Sequence, residues 1–491
     1  MPRIELQSKL TLFDVTNLVV GSIIGADIYV ASAFGAGLLG PFSLVAWVVG
    51  GVIAIIIALC FAQCAALLPK VGGPYAYAHE AWGPFAGFVV GWSLWLAEWM
   101  SLAVFPVAFT QYLMFFLPRL GLALQIVVKL SFVLFLIFTN VVGVKAAGRT
   151  NDVLTLVKLA PLVFFAALGI GYVALNPATA AGNFTPFLPL GLGSFGSALV
   201  LIFWAYAGFE ISTIPAEEIR EPGKTIPKAI VIGIVIVTVF YLVTNIVLFA
   251  IMKSSDLANS TTPLATATNT ILTATPLLAI VGTAIVGLGA LISVAGSDES
   301  GMLGTSHLGY ALAADGLFPR AFAKIHPRYK TPYLGIIIQA ATALAAALAA
   351  TFYANGLSTL IATSVFFMAV AYVATSVSSY TLRKRHQAQF RLKGGLVIPA
   401  LGAAFSIYLI TQCNLTQIGL GLLLLAMGLP VYIKYSPKKE LTDLKTALLA
   451  RDSILERAYQ QEHRFLAHLL LHVKRTYRRL TGKKQTWKRV N

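Results

Sequence analysis

A chain of 491 residues that is 58% hydrophobic and 11% charged, with a formal net charge of +17, is too apolar for a soluble fold and reads as a polytopic membrane protein. In a soluble protein that charge would point to nucleic acid, but here all of the 36 Lys and Arg except Arg119, Lys129 and Lys253 fall on one side of the membrane or in span ends beside it. Such asymmetry follows the positive-inside rule; it puts both chain ends in the cytoplasm and removes the reason to expect a nucleic-acid partner.

Each span needs roughly 20 apolar residues, and twelve segments qualify: about 10–36, 41–67, 85–116, 122–142, 152–175, 194–217, 229–252, 276–307, 333–353, 357–381, 395–412 and 415–435. They form one integral domain, residues 1–435, followed by a tail, residues 436–491. Only Arg3 and Lys9 precede span 1, without a small-residue cleavage site, so no removable signal peptide is expected.

Span 1 is interrupted by Gly21-Ser22-Ile23-Ile24-Gly25-Ala26-Asp27-Ile28. Two glycines and an ionisable residue are poor helix formers where lipid offers no hydrogen bonds. A break there is tolerated only where the freed backbone faces protein or a water-filled cavity, so it points to a binding site near mid-membrane. Close helix packing is the competing reading for Gly21 and Gly25; Asp27 favours the site.

Span 2 carries Cys60 and Cys64 one turn apart, which read as small packing residues; with Cys413 they imply neither a disulfide framework nor a metal site. Pro69-Lys70-Val71-Gly72-Gly73-Pro74-Tyr75-Ala76-Tyr77 ends the helix, and Trp82-Gly83-Pro84 opens span 3. There Glu98 lies among Trp92, Trp95 and Trp99, a costly depth for a carboxylate unless it faces the bundle interior. After span 4, Gly143-Val144-Lys145-Ala146-Ala147-Gly148-Arg149 leads into span 5, and Lys158 lies about two turns inside.

Span 6 holds Phe203-Trp204-Ala205-Tyr206-Ala207-Gly208-Phe209-Glu210 and closes through Ala216-Glu217-Glu218 towards Ile226-Pro227. This second weak point follows the first by five spans, the spacing expected if spans 1–5 and 6–10 are inverted repeats that each begin with a broken helix. Span 8 contains Ser297-Asp298-Glu299-Ser300, an adjacent pair of carboxylates that needs a proton or a cation to offset its charge, and runs out through His307 to Asp315-Gly316-Leu317-Phe318-Pro319. Beyond Tyr435 the composition changes: residues 436–491 hold 14 Lys and Arg against 5 acids, with Leu444, Leu448, Leu455, Tyr459, Leu466 and Leu470 at near-helical spacing. This reads as a basic amphipathic tail on anionic lipid, with a dimerising helix or partner site as the alternative.

In order and spacing these motifs resemble the amino acid-polyamine-organocation (APC) superfamily of permeases, over spans 1–12 but not the tail. The resemblance rests on Gly25-Ala26-Asp27-Ile28-Tyr29, like the family's Gly-Ser/Thr-Gly-Ile-Phe; on Gly72-Gly73-Pro74-Tyr75-Ala76-Tyr77; on Tyr206-Ala207-Gly208-Phe209-Glu210 with Ala216-Glu217-Glu218 and Ile226-Pro227; and on Asp315-Gly316-Leu317-Phe318-Pro319. It implies an all-α, LeuT-like 5+5 inverted repeat with discontinuous spans 1 and 6, alternating access, and a substrate held between the two breaks. By the same resemblance a substrate carboxylate meets backbone N–H groups over Ser22, Ile23, Ile24, Gly25 and Ala26. The amine meets carbonyls around Phe203, Trp204 and Ala205, Gly208 completes the break, and Trp204 closes over the substrate. Half-helix termini suit this physically, since N-terminal ends attract anions and free carbonyls attract ammonium.

Three departures stand out: Asp27 replaces a small residue, His307 stands where many relatives have Arg, and Ala314 replaces a common Arg before Asp315. Asp27 competes with a substrate carboxylate for the same donors and adds negative charge, so a cationic substrate, a basic amino acid or a polyamine, is expected, with a neutral amino acid as runner-up. An N-cap is its purely structural alternative. Asp298 adds to this charge if span 8 lines the cavity, with Gly301 on the same helix face. Lys158 brings its own cation to the region where sodium-coupled members of this fold bind an ion, which favours proton coupling; Glu210 and Glu98 are further candidate proton sites, and a lysine snorkelling to the interface is the alternative. No nucleophile, metal-ligand cluster or cofactor motif supports an enzyme. A sensor built on a transporter fold is the other alternative, since fold does not fix function.

Overall fold

The structure, a computed structural model, describes residues 10–69, 72–143, 148–210, 219–353, 355–386 and 395–436, with the backbone alone for 148–154 and 156. Arg3, Lys9, Lys70, Val71, residues 144–147, Ala216-Glu217-Glu218 and all but the first residue of the tail, 437–491, lie outside the described residues.

The described residues are helical throughout, without a β-strand among them. In chain order the helices are α1 (Leu12–Ile23), α2 (Asp27–Leu39), α3 (Ser43–Leu67), α4 (Pro74–Trp82), α5 (Pro84–Phe116), α6 (Leu122–Val142), α7 (Gly148–Leu175), α8 (Pro177–Asn183) and α9 (Phe195–Phe203). A 3-10 turn, Trp204–Tyr206, follows α9 directly. Then come α10 (Pro222–Ile251), α11 (Ser254–Ala258), α12 (Pro263–Leu272), α13 (Pro276–Ala314), α14 (Tyr333–Thr351), α15 (Gly356–Arg383), α16 (Val397–Gln412), α17 (Leu415–Ala426) and α18 (Gly428–Tyr435). Nine helices among the described residues are long and apolar enough to cross a membrane, the run Asp27–Leu67 counting as one; α1, α9 with its 3-10 turn and α16 are shorter apolar helices. The protein is therefore a multi-pass membrane protein. Phe135 and Phe138 of α6, 57% and 65% exposed, face outward where lipid rather than water must meet them.

Local chemistry sets the helix ends. Thr11 and Asp14 form a capping box on α1, and Asn414 and Gln417 form another on α17. α4, α5, α8, α10, α12 and α13 each open on a proline, whose missing N–H costs nothing in the first turn. Pro222 starts α10 seven residues before the apolar run predicted from 229, and α13 continues to Ala314 instead of ending at 307. Hydropathy marks only the lipid-buried part of a helix, so the polar ends escape it. The predicted segment 415–435 is two helices that meet at Met427.

α10 packs along α3 and α1, while α5 packs against α13, α14 and α15. α13 comes close to α7 because a Cβ at Gly289 would overlap the Pro161 ring and one at Gly296 would sit 2.9 Å from Cε of Lys158. Leu10 and Ile219 form a single parallel bridge, with Arg220 N–H donating to Leu10 O at 3.0 Å. The start of the first broken helix is thereby paired with the chain after the second.

Candidate substrate-binding site

α1 stops at Ile23 and α2 resumes at Asp27, so Ile24, Gly25 and Ala26 carry the break. Ile24 adopts an extended backbone with ψ 108°, although its N–H still donates to Val20 O. A Cβ at Gly25 would lie 2.8 Å from Ser297 Oγ, so glycine lets α13 approach the break. Asp27, the first residue of α2 and 4% exposed, folds back: its Oδ1 accepts the Gly25 N–H at 2.6 Å and its Oδ2 accepts the Tyr241 hydroxyl.

The second break repeats this pattern. After the 3-10 turn Trp204–Tyr206, Ala207 is extended and Gly208 has φ +115°, a conformation that favours glycine. Glu210 Oε2 accepts the Gly208 N–H at 3.0 Å, a carboxylate two residues beyond a glycine as in the first break. The Ser22 hydroxyl donates to Gly208 O at 2.9 Å and joins the two breaks.

Between them lies a cavity of about 40 Å³. A single water needs roughly 10–15 Å³, so there is room for a few small groups, and a whole amino acid requires the walls to part. Of the residues expected at the site, Ser22, Ile23, Gly25, Asp27, Trp204, Gly208, Gly301 and Glu98 line it. Ile24, Ala26, Phe203, Ala205 and Asp298 are buried but are not among the lining residues. On α13 the lining residues are Ser297, Ser300 and Gly301, and Asp298 is about 100° round the helix from Ser297. Sequence reasoning missed Ser101, Phe105, Ala207, Ser297, Ser300 and Met368 as lining residues. Ser101 accepts the Trp204 indole N–H at 3.0 Å and Phe105 packs 6.1 Å from that ring, so Trp204 is held from two sides.

Outside the cavity, Lys158 is 4% exposed, and its ammonium donates to Gly21 O at 3.1 Å and to Ser297 Oγ at 3.0 Å; Ser297 in turn donates to Ile24 O at 3.0 Å. It braces the end of α1 against α13 and does not snorkel to the interface. Glu98 also lines a second cavity of about 30 Å³, with Glu210, Thr305 and Gly72. Asp315 accepts the Tyr75 hydroxyl at 2.6 Å and ties the start of α4 to the loop after α13.

The comparisons fit this geometry. The sequence model of the family described as amino acid permease matches residues 10–422. The branched-chain amino acid permease BcaP of Bacillus subtilis (strain 168) is 27% identical over 464 residues, covering 88% of this chain and 94% of the relative. From the same organism, the methylthioribose transporter is 28% identical, covering 89% of this chain and 95% of its own. The serine/threonine exchanger SteT, also from that strain, is 27% identical, with 88% and 98% covered. With the helix interrupted between Ile23 and Asp27 at one motif, α9 and its 3-10 turn ending at Tyr206 in another, and a family match over most of its length, this chain belongs to the amino acid permeases of the APC superfamily.

Proposed function

We propose that this permease is a proton-coupled secondary transporter for a cationic amino acid or a related amine, working by alternating access in a twelve-span LeuT-like fold with both termini cytoplasmic. The observation that carries this reading is the cavity between the two breaks: among the described residues, its only ionisable lining residues are two acids, Asp27 and Glu98. A cation entering it offsets charge that is otherwise expensive inside a membrane. The twelve-span arrangement is supported by the nine long and three short apolar helices, and the inverted repeat by the matched breaks at Gly25 and Gly208.

Proton coupling draws its support from Lys158, an ammonium held on a carbonyl and a hydroxyl at the end of α1, with Glu98 and Glu210 as further carriers. The domain boundary at 435/436 and contact of the basic tail with anionic lipid complete the proposal. One relative is named for a substrate that is not an amino acid and another as an exchanger, so the panel of candidates is not confined to amino acids and the assay includes counter-transport.

Uptake into proteoliposomes of arginine, lysine, putrescine and spermidine against leucine, alanine and serine, with and without an inward pH gradient, tests the reading. Uptake of the cationic group, raised by the gradient, is expected. Inhibition by the neutral group alone overturns the cationic assignment, and sodium dependence indifferent to the gradient overturns proton coupling.

A further inference from the structure

Tyr241 lies on α10, away from both breaks in sequence, and does not line the cavity. Its ring is fully buried and packed edge-on against Trp47 and Tyr206, at centroid distances of 5.3 and 5.6 Å. Tyr206 is itself fixed by a hydroxyl bond to Trp47 O at 2.7 Å. The Tyr241 hydroxyl therefore has little freedom. Its single proton goes to Asp27 Oδ2, with Ile23 O a longer acceptor at 3.3 Å.

The N–H of Gly25, in the break two residues before α2 and in the cavity wall, is where a ligand carboxylate would dock, because the N–H groups at a helix N-terminus attract anions. Asp27 Oδ1 already takes it, and Tyr241 holds the other oxygen so that the carboxylate cannot swing away. The remaining donors tell the same story. Gly208 N–H is given to Glu210, the Trp204 indole to Ser101, and the hydroxyls of Ser22, Ser297 and Ser300 to main-chain carbonyls. The wall is rich in acceptors, and of its side-chain donors the Ser101 hydroxyl alone, which accepts the Trp204 indole N–H, is left for a ligand; a bound carboxylate would face two acids with few partners, whereas an ammonium group would face acceptors.

We propose that Tyr241 is a positioning residue that latches Asp27 over the Gly25 N–H as a built-in carboxylate, so that the cavity takes amines lacking an α-carboxylate in preference to the amino acids that bear one. This rests on the transport reading above and names the substrate class of the same site. Asp27 touches the substrate; Tyr241 acts only through Asp27, by fixing which oxygen meets Gly25 and which face meets the cavity.

Matched pairs that differ only in the carboxylate test the latch: cadaverine against lysine, agmatine against arginine, and 3-methylbutylamine against leucine. The readout is ligand-induced thermal stabilisation of the purified full-length protein, titrated for each compound. In the wild type, the amine of at least one pair is expected to bind about tenfold more tightly than its amino acid. Tyr241→Phe keeps the packed ring and removes only the hydroxyl; it is expected to shift that ratio about tenfold towards the amino acid. Asp27→Ser frees the Gly25 N–H directly and is expected to shift the ratio the same way, which decides the matter if Tyr241→Phe does not fold.

A wild type that favours the amino acid in every pair, or that is stabilised by no amine, overturns the proposal. So does a Tyr241→Phe variant in which both members weaken equally, the mark of a merely structural role. Proteoliposome uptake separates the two readings: uptake of leucine without stabilisation by any amine sinks the latch and leaves transport standing, and a ratio shift without uptake of any compound does the reverse.

Discussion

The Ser22 hydroxyl and the Gly208 carbonyl oxygen meet at 2.9 Å, so the two helix breaks are bonded to each other and not merely adjacent. A Cβ at Gly208 would lie 2.6 Å from the Ser22 carbonyl oxygen, and φ there is +115°. Gly208→Ala is therefore expected to cost about 1–3 kcal/mol through backbone strain and to abolish uptake. Ser22→Ala, which loses one hydrogen bond, should cost about 1 kcal/mol. Thermal unfolding in detergent, run beside uptake, checks both; an unshifted Gly208→Ala melting curve would contradict the geometry.

Lys158 is the second test. Replacing it by Ala removes the ammonium that joins Gly21 O to Ser297 Oγ, and leaves that carbonyl short of a partner at a cost of about 1–3 kcal/mol. The expected outcome is a folded protein whose uptake no longer responds to a pH gradient. Unchanged gradient dependence in proteoliposomes would remove Lys158 from the coupling role.

Trp204 and Ser101 form a matched pair. Ser101→Ala deletes the 3.0 Å bond to the indole and is expected to weaken substrate competition by a few fold, equivalent to about 1 kcal/mol. Trp204→Leu also deletes the aromatic contact with Phe105 and is expected to weaken it at least tenfold. Equal effects from the two substitutions would show that the ring itself does nothing beyond holding the indole N–H.

Deleting the residues after Lys439 is expected to leave a folded protein that still takes up substrate, because the basic stretch follows the last apolar segment. In the full-length protein, a photo-cross-linker placed in the tail is expected to label anionic lipid in preference to neutral lipid. An inserted truncation that binds nothing would place the tail in the transport mechanism.

The breaks were legible because glycine and a carboxylate are conspicuous in an apolar run, so Gly25, Asp27, Gly208 and Glu98 stand out from sequence alone. Ser101, Ser300 and Met368 were not, since a hydroxyl or thioether in a span has no local mark that separates a cavity wall from ordinary packing. Tyr241 offered one faint signal: a buried phenol needs a partner, and a lone tyrosine in the run Val239-Phe240-Tyr241-Leu242 implies that one exists. Which partner is a matter of how α10 lies along α1, and no spacing within α10 encodes it. Asp298 shares a broad helix face with Gly301, and helix spacing alone does not say which residues of such a face reach the cavity wall.

The pairing of Leu10 with Ile219 has a mechanical consequence. Together with the Ser22 to Gly208 bond it fastens the two ends of the α1 segment to the chain that follows α9, at Gly208 and again at Ile219, like two rungs of a ladder. A rod pinned at two points cannot hinge alone. If α1 tilts to open a path on the Leu10 side, either the lower rung parts first or the chain after the second break travels with it. A cross-link that keeps Leu10 and Ile219 together while transport continues would identify the travelling unit as the pair, a rocking body, and not a single swinging helix.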